Sequence, residues 1–233
     1  MKPFYRAVEP DALDPGDLDK FLALGWYRMH QYLFTTSHLD YERPCRVHWL
    51  RLPVEAFTDR REHRRIRRKN ASFRVDIRPF QGIGEEHAEL YARYHASTDF
   101  DGPETIHWSL FGPEDDGRNI FRTQVISVYD NERLVAGGYF DLGLESAASI
   151  LHFFDPEIRP TSPGKFLMLL TLDYLKSAGY RFYYPGYLVS GKPKMDYKLF
   201  PGKAIIEYYD PQLRIWLPFD ERIRLADPYA DAV

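Results

Sequence analysis

The sequence predicts an α/β protein: a mixed sheet flanked by helices, with a smaller β-rich lobe at its N-terminal end. Three observations carry this reading. The 233 residues are 44% hydrophobic and 28% charged, the balance of a folded globular chain. Through the second half, stretches of strand periodicity alternate with stretches of helical periodicity. No Ser/Gly linker, repeat or low-complexity tract divides the chain. The expected organisation is an N-terminal lobe over residues 1–72 and a main domain over 73–233.

The elements follow in order. Residues 1–20, with Pro3, Pro10 and a scatter of acids, are expected as an irregular arm. YLF at 32–34 and CRVHWLRL at 45–52 read as strands, Val47 and Trp49 sharing a face. Asp59 followed by Glu62 has capping-box spacing and predicts a short helix to about Lys69. SFRVDIR at 72–78 alternates, Phe73, Val75 and Ile77 pointing one way. EEHAELYARYHAS at 85–97 is helical, and an acidic loop is expected over 99–116. TQVISVY, the turn DNE and RLVAGGYFDL make a hairpin over 123–142, and SILHFF at 149–154 a third strand. PGKFLMLLTLDYLKSAG at 163–179 is an amphipathic helix, with Pro163 near its start and Gly179 closing it. YRFYYPGY (180–187), AIIEYY (204–209) and LRIWLPF (213–219) complete the strands.

Charge is concentrated. The net charge of the chain is −3, yet residues 43–78 alone carry +8, leaving −11 for the rest. Seven of the ten residues from Arg60 to Lys69 are cationic, a density that repels itself unless a polyanion is near, and nucleic acid is the expected partner. The lone cysteine, Cys45, excludes an intrachain disulfide and any cysteine-based metal cluster. The eight histidines show no metal spacing and are expected to be structural or at the surface. No metal is expected. The longest apolar patch, FLMLLTL at 166–172, is too short to span a bilayer, and no leader-like apolar stretch opens the chain, so a cytoplasmic protein without membrane contact is expected.

Helix, hairpin, strand, helix, strand and terminal pair is the element order of a GNAT-type acyltransferase fold, whose mixed sheet splays open after the central strand. Acyl-CoA enzymes of that fold hold pyrophosphate on a glycine-rich turn at a helix N-terminus. Here the stretch is RPTSPG, Arg159 to Gly164, with Ser162 where a glycine is usual and Pro163 lacking an N–H. Asp155 lies at the open end of the third strand, as a turn former or as a carboxylate near the splay. Among the aromatics of 182–187, Tyr187 is the one expected to reach the cleft.

Several motifs resemble the aminoacyl-tRNA–protein transferases of the N-degron pathway, the arginyltransferases and their bacterial leucyl relatives that modify Asp and Glu acceptors. They are Gly25-Trp26-Tyr27-Arg28, the basic stretch Arg60–Asn70, Phe153-Phe154-Asp155-Pro156, Pro193-Lys194-Met195 with Tyr197-Lys198, and Trp216-Leu217-Pro218-Phe219. The resemblance runs through nearly the whole chain in order, on a branch lacking the family's N-terminal cysteine cluster. It implies transfer of an amino acid from charged tRNA to a protein or peptide N-terminus, an acidic acceptor favoured, with charged tRNA as donor and no separate cofactor. On that reading Asp155 and Tyr187 are the catalytic candidates. Phe154, Gly164, Lys194, Met195, Tyr197 and Lys198 face substrate, the two lysines holding an acidic acceptor, and Arg64, Arg65, Arg67, Arg68 and Lys69 grip tRNA. The alternatives left open are an acyl-CoA-dependent N-acyltransferase and a non-catalytic tRNA-binding protein of the same fold.

Overall fold

The computed structural model describes residues 3–98, 102–113 and 117–225. A large mixed sheet organises the molecule. Its strands are β5 (Pro44–Pro53), β6 (Arg74–Pro79), β7 (Thr123–Asp130), β8 (Arg133–Leu142), β9 (Ser146–Phe154), β10 (Phe182–Val189), β11 (Glu207–Asp210) and β12 (Ile215–Pro218). They run in the order β12-β11-β5-β10-β9-β8-β7-β6, and β4 (His38–Asp40) adds to β5. A small antiparallel sheet is built from β1 (Tyr5–Val8), β2 (Tyr27–Met29) and β3 (Tyr32–Thr36), in the order β1-β3-β2. The α-helices among the described residues are α1 (Pro15–Ala23), α2 (Arg61–Lys69), α3 (Glu85–Ala96), α4 (Ile106–Phe111), α5 (Pro163–Ser177) and the short α6 (Arg222–Leu225).

Strand alternation assigns the two faces of the large sheet. From β8, Phe140 and Ala136 enter one core with α5, including Leu167, Leu169 and Leu172. Tyr139 and Phe153, one step along, enter the opposite core with Leu90 and Tyr91 of α3. Farther along that second face, Val47 and Trp49 of β5 and Tyr184 of β10 pack with Leu18 and Leu22 of α1 and with Leu33 and Phe34 of the small sheet. The α5 boundaries fall where the sequence places them, Pro163 in the first turn and Gly179 just past the end at φ +77°. Asn131, at φ +53°, makes the tight β7–β8 turn.

Several expectations need correction. The stretch 1–20 is not an irregular arm, since it contains β1 and the start of α1, whose Pro15 and buried Leu18 and Leu22 suit a short amphipathic helix. The 99–116 loop contains α4, capped by the Thr105 hydroxyl on the Trp108 N–H; residues 99–101 and 114–116 lie outside the described set. The Asp59–Glu62 capping box does not form: Arg60 is the N-cap and His63 accepts its N–H, while Asp59 pairs with Arg67. β6 is an edge strand: Phe73 and Ile77 pack against the core, while Val75 between them is exposed. The last two strands are shorter than expected, Lys203–Ile205 being a 3-10 turn. Nor is 72/73 a structural boundary, because β5 from the first part lies between β10 and β11 from the second.

One buried ion pair ties the small sheet to the large one. Arg28, at the end of the GWYR stretch, reaches Asp141 on β8 at 3.0 Å, with 1% of its side chain exposed. It also donates to Thr123 Oγ1 and to the carbonyls of His30 and Leu110, and stacks 4.3 Å from the Phe121 ring centre. Every face of the guanidinium has a partner of the kind a desolvated cation needs.

Candidate active site

β9 and β10 are parallel, yet they pair only where Phe182–Tyr184 meets Ser146–Ala148. Beyond that, β9 continues against β8 as far as Phe154, and β10 continues against β5 as far as Val189. The two strands therefore separate in mid-sheet. Tyr27 of β2 fills the point of separation from one face: its hydroxyl contacts the carbonyl oxygens of Ser149 on β9 and, at 2.9 Å, of Tyr184 on β10. One phenol thus bridges the two strands at the place where they part.

On the other side, the cleft is walled by β10 and the Pro193–Leu199 turn. β10 carries a bulge between Tyr183 and Gly186, and Gly186 takes φ +104°, a conformation that favours glycine. Lys198 lies over it: a Cβ on Gly186 would come within 3.1 Å of Lys198 Nζ. The ammonium donates to the Tyr187 carbonyl at 3.0 Å, contacts Met195 Sδ at 3.6 Å, and lies 4.6 Å from the Tyr187 ring centre. Lys198 is 9% exposed, and burial pushes it down to about 8. Tyr197 is 47% exposed, yet protein surrounds its phenol and burial pushes it up to about 12; both hold for a side chain lining a concavity. Tyr187 and Tyr94 of α3 are its phenolic neighbours there, and Tyr94 packs on Phe154 at 5.0 Å between ring centres. Two separate cavities, of about 350 and 250 Å³, lie along β6 and β7, away from this cleft.

The cleft gathers Phe154, Tyr187, Met195, Tyr197 and Lys198, all named from sequence. Gly164 adjoins it through Phe154, whose ring is 3.5 Å from where a Gly164 Cβ would stand. Lys194 is exposed whereas Lys198 is buried, so the two lysines stand in different settings. Asp155 is a structural carboxylate. It is 2% exposed, accepts the Glu157 N–H at 3.0 Å, and is held by Arg133 at 2.5 Å and Arg93 at 3.6 Å. Burial would raise it, but these donors outweigh burial and keep it below the ordinary carboxylate range, a poor position for a base. Sequence reasoning missed Tyr27, Tyr94, Ser149 and His152 as cleft residues. Gly186 and Gly138, glycines inside strands, were the available signal of close approach.

The basic helix divides into two classes. Arg67 turns inward to Asp59 and Asp173, bracing α2 against α5, so it is not a free phosphate contact. Arg64 donates to the Asp59 carbonyl and Lys69 to that of Pro160, both from exposed positions. Arg65 and Arg68 are exposed on the same helix. The two ends of the helix are also tied to neighbouring turns: Arg60 donates to the Phe200 carbonyl at 2.6 Å, and Asn70 to that of Thr161 at 3.0 Å.

Residues 86–201, about half of the chain, match the family model described as arginine-tRNA-protein transferase, C terminus. The aspartate/glutamate leucyltransferase of Alkalilimnicola ehrlichii is 28% identical over 196 residues, 82% of this chain and 79% of that protein. That of Vibrio cholerae serotype O1 is 26% identical, covering 83% and 81%. Among solved structures, FemX is similar with a TM-score of 0.43 and 12% identity, over 81% of this chain and 64% of its own. L-PGS from Bacillus licheniformis has a TM-score of 0.41 at 11% identity, over 61% of this chain, which spans about half of that structure. By the matched segment and the leucyltransferases together, the chain is similar to the aminoacyl-tRNA–protein transferases along most of its length.

Proposed function

We propose that this protein moves an amino acid from charged tRNA to the N-terminal amine of a protein or peptide, preferring an acidic first residue, as a cytoplasmic enzyme marking substrates for degradation. The observation that carries this is the seat of Lys198. The lysine of the family-like PKMDYK stretch stands inside the gap between β9 and β10, where a GNAT-like transferase binds its acyl donor. The donor ester is already activated, so the site needs proximity, a cation at the carbonyl oxygen and a route for one proton, with no covalent intermediate and no cofactor beyond the tRNA. Lys198 supplies the cation, and Phe154, Tyr187, Met195 and Tyr197 give the aminoacyl group an aromatic-walled place. The exposed Lys194 favours an acidic acceptor, and Arg64, Arg65 and Arg68 meet tRNA phosphates. The leucyltransferase names of the relatives support an aspartate or glutamate acceptor.

An acyl-CoA reading draws less support. Ser162 has φ +62° and Pro163 offers no N–H, so the start of α5 presents fewer donors to a pyrophosphate. The test is transfer of radiolabelled amino acid from charged tRNA to peptides beginning with Asp, Glu or Arg. Label on the Asp or Glu peptides is expected. No label on any peptide, together with thermal stabilisation by acetyl-CoA but not by tRNA, would replace this reading with the acyl-CoA one.

A further inference from the structure

His152 belongs to no motif of the sequence, and the structure gives it a prepared place. It lies on β9 opposite Gly138 of β8, on the side of the sheet that carries α5. A Cβ on Gly138 would stand 3.0 Å from His152 Cδ2 and 3.6 Å from Nε2, so the imidazole rests on bare backbone. Lys198 rests on Gly186 in the same way, across the gap on β10. Two glycines on two strands thus each make room for one nitrogen base, at the place where the sheet opens.

The surroundings are polar but uncommitted. Ser149 Oγ is 3.4 Å from His152 Nε2, a long contact. The Tyr183 phenol lies beside Ser149, and Lys198 is close enough to act on the imidazole electrostatically. His152 contrasts with His87, which is 2% exposed and held at both nitrogens, by Ser127 at 2.9 Å and Tyr139 at 3.1 Å. His152 keeps part of its surface exposed. Burial first, and the Lys198 charge second, keep the imidazole neutral by pushing it down to about 4.

We propose that His152 receives the proton of the attacking amine while Lys198 holds the ester oxygen, an assignment that rests on the aminoacyl-transfer reading above. The acceptor's neutral amine adds to the ester carbonyl, forming the C–N bond and placing negative charge on the carbonyl oxygen beside the Lys198 ammonium. The added nitrogen, now positively charged and far more acidic than a free ammonium, passes its proton to the neutral imidazole. The C–O bond to the terminal ribose then breaks, and the ribose oxygen leaves with that proton. His152 and Lys198 end as they began, and the products are an amide and an uncharged tRNA.

The experiment measures single-turnover transfer and tRNA binding on the full chain, for wild type, His152→Gln and His152→Ala, the last with and without added imidazole. General-base removal slows reactions by about 10²–10⁴-fold. Expected are wild-type transfer, a loss of at least about 10²-fold in both variants, unchanged tRNA affinity, and partial recovery of His152→Ala by imidazole. Transfer by His152→Gln at the wild-type rate overturns the assignment and leaves the aminoacyl-transfer reading intact. Equal loss of rate and tRNA affinity without rescue also overturns it, in favour of a packing role. Absence of transfer by wild type to any peptide removes both.

Discussion

Arg28 and Lys198 are both buried cations, and they differ in what surrounds the charge. Arg28 has a carboxylate, a hydroxyl, two carbonyls and an aromatic face around it. Lys198 has one carbonyl, a thioether and two aromatic rings, with no carboxylate among its described partners. Burying a charge without a counter-ion is unfavourable, which makes Lys198 the less stabilised cation of the two. Total charge would have directed attention to the cation-rich α2, but partner accounting directs it to a single lysine.

The comparison can be broken in either half. Replacing Arg28 with Met leaves Asp141 buried and unpaired, and stability in urea denaturation should drop by about 3–5 kcal/mol. Transfer per folded molecule should change little, whereas a selective loss of transfer would make Arg28 part of the site. Lys198→Met should do the reverse. Transfer should fall by about 10²–10³-fold, the range for removing a group that stabilises a developing oxyanion, with stability kept or gained. A well-folded Lys198→Met protein of normal activity would reduce Lys198 to packing.

Two smaller effects sharpen the contrast. In tRNA binding, Arg65→Glu with Arg68→Glu should flatten the dependence of log K on log salt by about 0.9 for each phosphate that is no longer neutralised. Arg67→Ala should leave that slope unchanged while lowering the thermal midpoint, since Arg67 is paired with Asp59 and Asp173. An altered slope for Arg67→Ala would return it to the interface. The fourth concerns pH. The folded chain releases the Lys198 proton near 8, whereas the unfolded chain keeps it to about 10.5. Between those values the unfolded state binds more protons, so stability gains a component that grows as pH rises from 8 toward 10.5. Lys198→Met should remove that component from a pH series of denaturation midpoints.

Local rules in the sequence were enough for α5, where Pro163 and Gly179 bracket an apolar stripe, and for the β7–β8 hairpin. They were enough, too, to single out the PKMDYK turn, which the structure seats against β10. They failed where a residue's meaning comes from distant partners. Asp155 reads alike as a cap and as a base until Arg93 and Arg133, 62 and 22 positions earlier, are seen to hold it. Asp59 has capping spacing, yet an arginine eight residues on claims its carboxylate. His152 has the ordinary look of a strand histidine; only Gly138 across the ladder distinguishes it. The strand order itself, with β5 inserted between β10 and β11, leaves no mark in local periodicity.

The Tyr27 hydroxyl has a consequence for the order in which the chain can acquire its shape. Its two carbonyl partners lie 122 and 157 positions later, among the longest loops this chain can close. Closing such loops costs entropy before any favourable interaction repays it, which slows folding dominated by distant pairings. During synthesis, Tyr27 waits for most of the chain before the wedge has anything to hold apart, and Lys198 emerges later still. The helices and the β7–β8 hairpin can form as they leave the ribosome, but the cleft belongs to the last act of folding. A chain released early would carry the basic helix without the site it serves.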